Sequence, residues 1–243
     1  MYRWDTLMAN DFTGQIDDDV AEKFVQTAGY INQIVGYVAS VLTKSPDKFA
    51  QCVEQLYSQT KPSISIRLRL SNVAGLPETF IANLPESIMI KIKLSEGESL
   101  ADTDIGSSTI NIYIDPRYKT EDVLDAINER LPHELRHLVD AHDTQMLETM
   151  IRTLESNASG NLSEYAADSG EYNARMSAVL SVALKRLADP RLRSKIHSAD
   201  DLVENIRWTS QFEELMEDFD DEQYMAVRQN LVKILQNVMS KMN

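Results

Sequence analysis

Cysteine occurs once in the 243 residues, at Cys52. No internal disulfide can therefore staple this fold, and such sparing use suits a reducing compartment. Basic residues are also in deficit, with 24 Lys and Arg against 38 Asp and Glu, a formal net charge of −14 and a pI near 4.7. That balance argues against direct binding to nucleic-acid phosphates. It leaves solubility and a preference for basic partners as positive inferences. No hydrophobic run is long enough to span a bilayer: the longest apolar stretch, residues 30–42, is interrupted by Asn32, Gln33 and Gly36. The opening Met1-Tyr-Arg-Trp-Asp5 has no basic and apolar regions of a secretory signal, so a cytoplasmic location with no membrane partner is expected. Internal repeats, low-complexity tracts and proline-rich linkers are missing too. With 43% hydrophobic and 26% charged residues, the chain can bury a full core, and one domain with helical ends is expected.

What is present reads as helix, then strand, then helix. After Asp17-Asp-Asp19, acidic residues suited to a helix N-terminus, Phe24, Ala28, Ile31, Val35, Val38 and Leu42 recur at steps of three and four. Ser45-Pro46-Asp47 breaks that helix, and a shorter one over residues 46–59 follows with Phe49, Val53 and Leu56 on one side. Residues 1–60 carry no evident chemistry and read as packing or as a surface for a protein partner. The period then changes to two. Residues 63–70, 87–94 and 109–115 each alternate an apolar face with a polar one, the latter carrying Arg67, Arg69, Lys91 and Lys93. Three half-buried strands are expected, in a small, mostly antiparallel sheet backed by helices, with residues 72–85 and 96–107 as loops. A helix begins near Thr120 with Val123, Leu124, Ile127 and Leu131 as its stripe. Further helices are expected over residues 162–188 and 198–243.

The residues that carry chemistry lie in Leu131-Pro-His-Glu-Leu-Arg-His-Leu-Val-Asp140. Two of the four histidines, His133 and His137, stand four apart, one above the other on a helix face. Two imidazoles so placed can reach one metal ion, and neutral imidazole suits Zn2+. Glu134 lies about 100° further round, well placed to hold a water and take its proton. Pro132 directly precedes the motif, so either the helix bends there or a new helix starts.

The H-E-x-x-H order resembles that of the zincin metallopeptidases, over roughly residues 108–185. The resemblance implies an α+β, zincin-like catalytic core over residues 61–190, with helical segments over 1–60 and 191–243. It implies Zn2+ as cofactor, Glu134 as general base, and a peptide or protein substrate. It also demands a third protein ligand. In the glutamate branch of the family, the gluzincins, that ligand is a glutamate on a second helix with a small residue three positions later. Glu171-Tyr-Asn-Ala174 matches, and Glu171 is the leading candidate. Glu164, followed by Ala167, and Asp168 are rivals. In the metzincin branch the position falls on Asp143, but Asp140 then stands where that branch has glycine. Asp140 is otherwise a candidate acceptor for an imidazole N–H, and His142 reads as a surface residue. Tyr165, Tyr172 and Arg175 are candidates for stabilising an oxyanion. Residues 109–115 resemble the edge strand along which zincin substrates lie.

The expected function is thus a selective, intracellular zinc metallopeptidase. Two other classes stay open: an inactive zincin-like scaffold working through its helical surfaces, and an acidic protein that occupies a basic surface. Loss of metal, or indifference to Glu134→Gln, would mark the scaffold; salt-sensitive binding to a cationic partner would mark the latter.

Overall fold

The computed structural model describes residues 18–95, 100–142, 169–217 and 219–242. The fold is a mixed α+β one, mostly helical, with one small sheet. The chain divides into two compact units: Tyr30–Asp143, and Met1–Gly29 together with Thr144–Asn243.

The first unit holds the sheet. Helix α1, Asp18–Thr43, begins on Asp18 and Asp19, and its half from Tyr30 onwards belongs here. Its Ile31, Ile34, Val35 and Val38 are fully buried, as the spacing requires. Helix α2, Pro46–Tyr57, starts with proline in its first turn, where the missing N–H costs nothing. Strand β1 is Ile64–Arg69, β2 is Ser87–Leu94, β3 is Ala101–Asp104 and β4 is Thr109–Ile114. A short helix, α3, Glu78–Ile81, lies between β1 and β2. The sheet order is β1-β2-β4-β3.

The sheet differs from expectation in its number of strands, in its central pairing and in which strands lie at its edges. Among the described residues it has four strands, not three, because Ala101–Asp104 is a strand within what reads as a loop. Its central pairing, β2 with β4, is parallel, with Ile90 opposite Ile110 and Ile92 opposite Ile112; the two outer pairings are antiparallel. Isoleucines 88, 90, 92, 110, 112 and 114 fill one face and join Leu68, α2 and Leu131, Leu135 and Leu138 in one core. β4 has neighbours on both sides, so it is not the edge strand expected; among the described residues the edges are β1 and β3. β3 is held to β4 by its backbone and by Asp102. Its Oδ1 accepts from Asn111 Nδ2 at 2.6 Å and its Oδ2 from the Tyr113 hydroxyl at 2.6 Å.

Helix α4, Thr120–His142, follows β4 and packs on β3 and β4. It passes through Pro132 as one helix, so no new helix starts at the motif. Proline has no N–H to give the carbonyl of Asn128, one turn back.

The second unit is helical. α5 is Ser169–Ala188, α6 Pro190–Arg193, α7 Ala199–Ile206, α8 Ser210–Met216 and α9 Asp221–Met242. Ser198 and Asp201 form a reciprocal capping box at the start of α7. Met176, Val179, Leu180 and Ala183 of α5 share a core with Leu202, Phe212, Leu215, Leu231, Ile234 and Leu235. The first half of α1 contributes Ala21, Phe24 and Ala28 to it. Among the described residues no helix is long and apolar enough to cross a membrane.

Candidate metal centre

α4 turns the spacing of the motif into geometry. His133 and His137 bring their Nε2 atoms to 3.0 Å, with ring centres 4.7 Å apart and the planes at 76°. Two nitrogens bound at about 2.05 Å to a tetrahedral zinc stand roughly 3.3 Å apart. The imidazoles are thus close to the separation one ion would impose. Glu134, on the adjoining face, is only 6% exposed. Its Oε2 accepts a hydrogen bond from the Thr103 hydroxyl of β3 at 2.7 Å; the same hydroxyl is 3.1 Å from the Glu134 carbonyl oxygen. With one hydrogen to give, Thr103 favours the shorter, charge-assisted bond.

One turn on, Arg136 and Asp140 are both buried, and Arg136 Nε donates to Asp140 Oδ1 at 2.7 Å. Asp140 thus accepts from Arg136, where its position had suggested an imidazole N–H as the donor. His142 is half-buried, its Nδ1 2.8 Å from the Leu138 carbonyl oxygen, which it can cap at the helix end.

Glu171 lies in the first turn of α5 and is 8% exposed. Its Oε1 accepts from Arg175 Nε at 2.9 Å. Arg175 is held in turn by the Glu214 carbonyl oxygen at 2.6 Å and by Glu217 at 3.4 Å. This anchoring gives Arg175 a structural occupation and fixes how the Glu171 carboxylate is presented. Tyr172 is buried beside Phe219, and burial pushes its phenol well above its ordinary pKa, so it is a neutral hydrogen-bond donor at any ordinary pH.

His133, His137 and Glu171 each offer one ligand atom, and these atoms lie within 4.8 Å of one another. This group could hold a metal ion. Two imidazoles and a carboxylate are a set known from catalytic zinc sites, with a fourth position left open; the same donors also accept other divalent transition metals. Asp143, Glu164, Tyr165 and Asp168 lie outside the described residues.

Thr103 and Arg136 were missed in the sequence. Nothing marks Thr103 before β3 is known. Arg136 fills a variable position of the motif, where a charged residue suggests a solvated one. The i, i+4 spacing to Asp140 was the available signal.

No protein-family model, curated protein or solved structure matches this chain.

Proposed function

We propose that this chain is a zinc-dependent peptidase of the zincin type, with His133, His137 and Glu171 as metal ligands and Glu134 as general base. The observation that carries the reading is the convergence of those three ligand atoms beside a buried glutamate on the same helix. A bound zinc would supply Lewis acidity and lower the pKa of a coordinated water to about 7.

Glu134 accepts the proton of the attacking water and returns it to the nitrogen that leaves. Thr103 fixes the carboxylate through Oε2. The Arg136–Asp140 pair holds the backbone of the turn that carries His137. Arg175 holds the Glu171 carboxylate through Oε1. An extended peptide would lie along β3, which rather than β4 is an edge strand among the described residues. A cytoplasmic, protein-processing role accompanies this reading.

The test is hydrolysis of a denatured protein such as casein, followed by the appearance of new amino termini. Zinc-loaded parent protein cleaves, and Glu134→Gln retains zinc but loses at least 100-fold in rate, the scale of removing a general base. Equal cleavage by parent and variant refutes the assignment of Glu134. Zinc retained without cleavage by either leaves the scaffold class in its place.

A further inference from the structure

A second site lies in the sheet-bearing unit, at the carboxyl ends of β2 and β4. A cavity of about 710 Å3 opens there. Its volume is within the range of small-molecule pockets, roughly 300–1,000 Å3. The end of α2 and the chain after it form one wall through Tyr57, Gln59 and Lys61. The strand ends form the other through Lys93 and Tyr113.

The chemistry of these residues points one way. The chain carries 38 acidic residues, yet the described residues that line this cavity include two lysines and no carboxylate. Neither Lys61 nor Lys93 has an ion-pair partner among the described residues. Lys93 Nζ stands 5.8 Å from the centre of the Tyr113 ring, its neighbour in the β2–β4 register. Both tyrosine hydroxyls are engaged elsewhere: Tyr57 donates to the Tyr118 carbonyl oxygen at 2.6 Å and Tyr113 to Asp102. What they offer the cavity is ring surface, beside Leu56 and Leu94.

Gln59 adds an independent observation. It ends α2 with φ +56°, a left-handed backbone that glycine normally supplies at this position. Its N–H bonds to the Leu56 carbonyl oxygen, and the amides of Thr60 and Lys61 both reach Gln55. A side chain is thus kept where glycine would be less strained, and that side chain lines the cavity.

We infer that this cavity binds a small organic anion, a carboxylate or phosphate ester on an aromatic or aliphatic body. The charged group sits between Lys61 and Lys93 with the Gln59 amide as a further donor, and the body rests on the tyrosine rings. None of His133, Glu134, His137 and Glu171 lines this cavity, so the inference does not depend on the peptidase reading.

Calorimetric titration of the full chain with phenyl phosphate and with benzoate tests this, beside inorganic phosphate and phenol, at low and high salt. One of the two aromatic anions binds saturably at one site and more tightly than either phosphate or phenol. Which of them binds tells phosphate ester from carboxylate. Affinity falls at least tenfold in Lys61→Gln/Lys93→Gln, falls with salt, falls less in Lys93→Arg than in Lys93→Gln, and is unchanged in His137→Ala. The inference is overturned by absence of saturable binding up to millimolar concentration. It is equally overturned if the double glutamine variant, melting as the parent does, binds as well as the parent. Loss of binding in His137→Ala would move the anion to the metal centre and refute it also.

Discussion

Asp140→Ala destabilises the sheet-bearing unit far more than the removal of one surface carboxylate would. Its partner Arg136 is 4% exposed at the side chain and Asp140 5%, with 2.7 Å between Nε and Oδ1. An exposed pair of this kind is worth at most about 1 kcal/mol. Here the substitution breaks a buried ion pair, at a cost of about 3–5 kcal/mol. For a chain of this size each kcal/mol moves the midpoint of thermal unfolding by about 2–4 °C, so a fall of roughly 6–20 °C is expected. The double variant Arg136→Met/Asp140→Leu removes both charges and keeps the volume. It melts within about 1 kcal/mol of the parent, or above it. Circular dichroism melts and urea titrations of the parent, two single variants and the double variant give the coupling energy directly. A fall of less than 2 °C in Asp140→Ala would refute the reasoning, since the pair would then behave as solvated. So would a double variant as unstable as the sum of the singles.

Three further outcomes follow from other contacts. Thr103→Val removes the hydroxyl that bonds the Glu134 carboxylate and costs about 1.5–3 kcal/mol, measured by urea unfolding, whereas Thr103→Ser keeps most of it. Asp115 is held by the Arg117 side chain and backbone N–H, which lower its pKa to about 2 from an ordinary 3.8. Its contribution to stability is therefore complete above the ordinary value and is lost as pH falls through about 2; Arg117→Gln moves the carboxyl resonance midpoint upwards in an NMR titration. Ile112→Ala, at a fully buried position of β4, lowers stability by about 2–5 kcal/mol in the same urea experiment.

The strands legible in the sequence were those that alternate isoleucine with polar residues, because a half-buried strand imposes that period. β1, β2 and β4 fall on residues 63–70, 87–94 and 109–115 within a residue or two. Ala101-Asp-Thr-Asp104 offers no such pattern, and aspartate is poor in strands. It pairs because Asn111 and Tyr113 of β4 bond Asp102, a tertiary cause. The parallel sense of β2 and β4 was equally hidden, since alternation along each strand is the same whichever way the neighbour runs. Helix α4 was read from Val123, Ile127 and Leu131, but Pro132 alone left open whether it continued. The neighbouring Leu131, Leu135 and Leu138, all buried, hold the two sides of the proline in one helix.

At the site, the i, i+4 rule located the two imidazoles, and the family pattern at Glu171-Tyr-Asn-Ala174 pointed to the carboxylate that lies within reach of them. The burial of Glu134, Arg136 and Asp140 was not legible, because charged residues normally face water and only their partners make burial tolerable.

The central claim is tested most directly by elemental mass spectrometry of zinc in protein purified without chelator, beside His137→Ala and Glu171→Ala. The account predicts about one zinc per chain in the parent and its loss in both variants. Parent protein that stays metal-free after dialysis against zinc would contradict it.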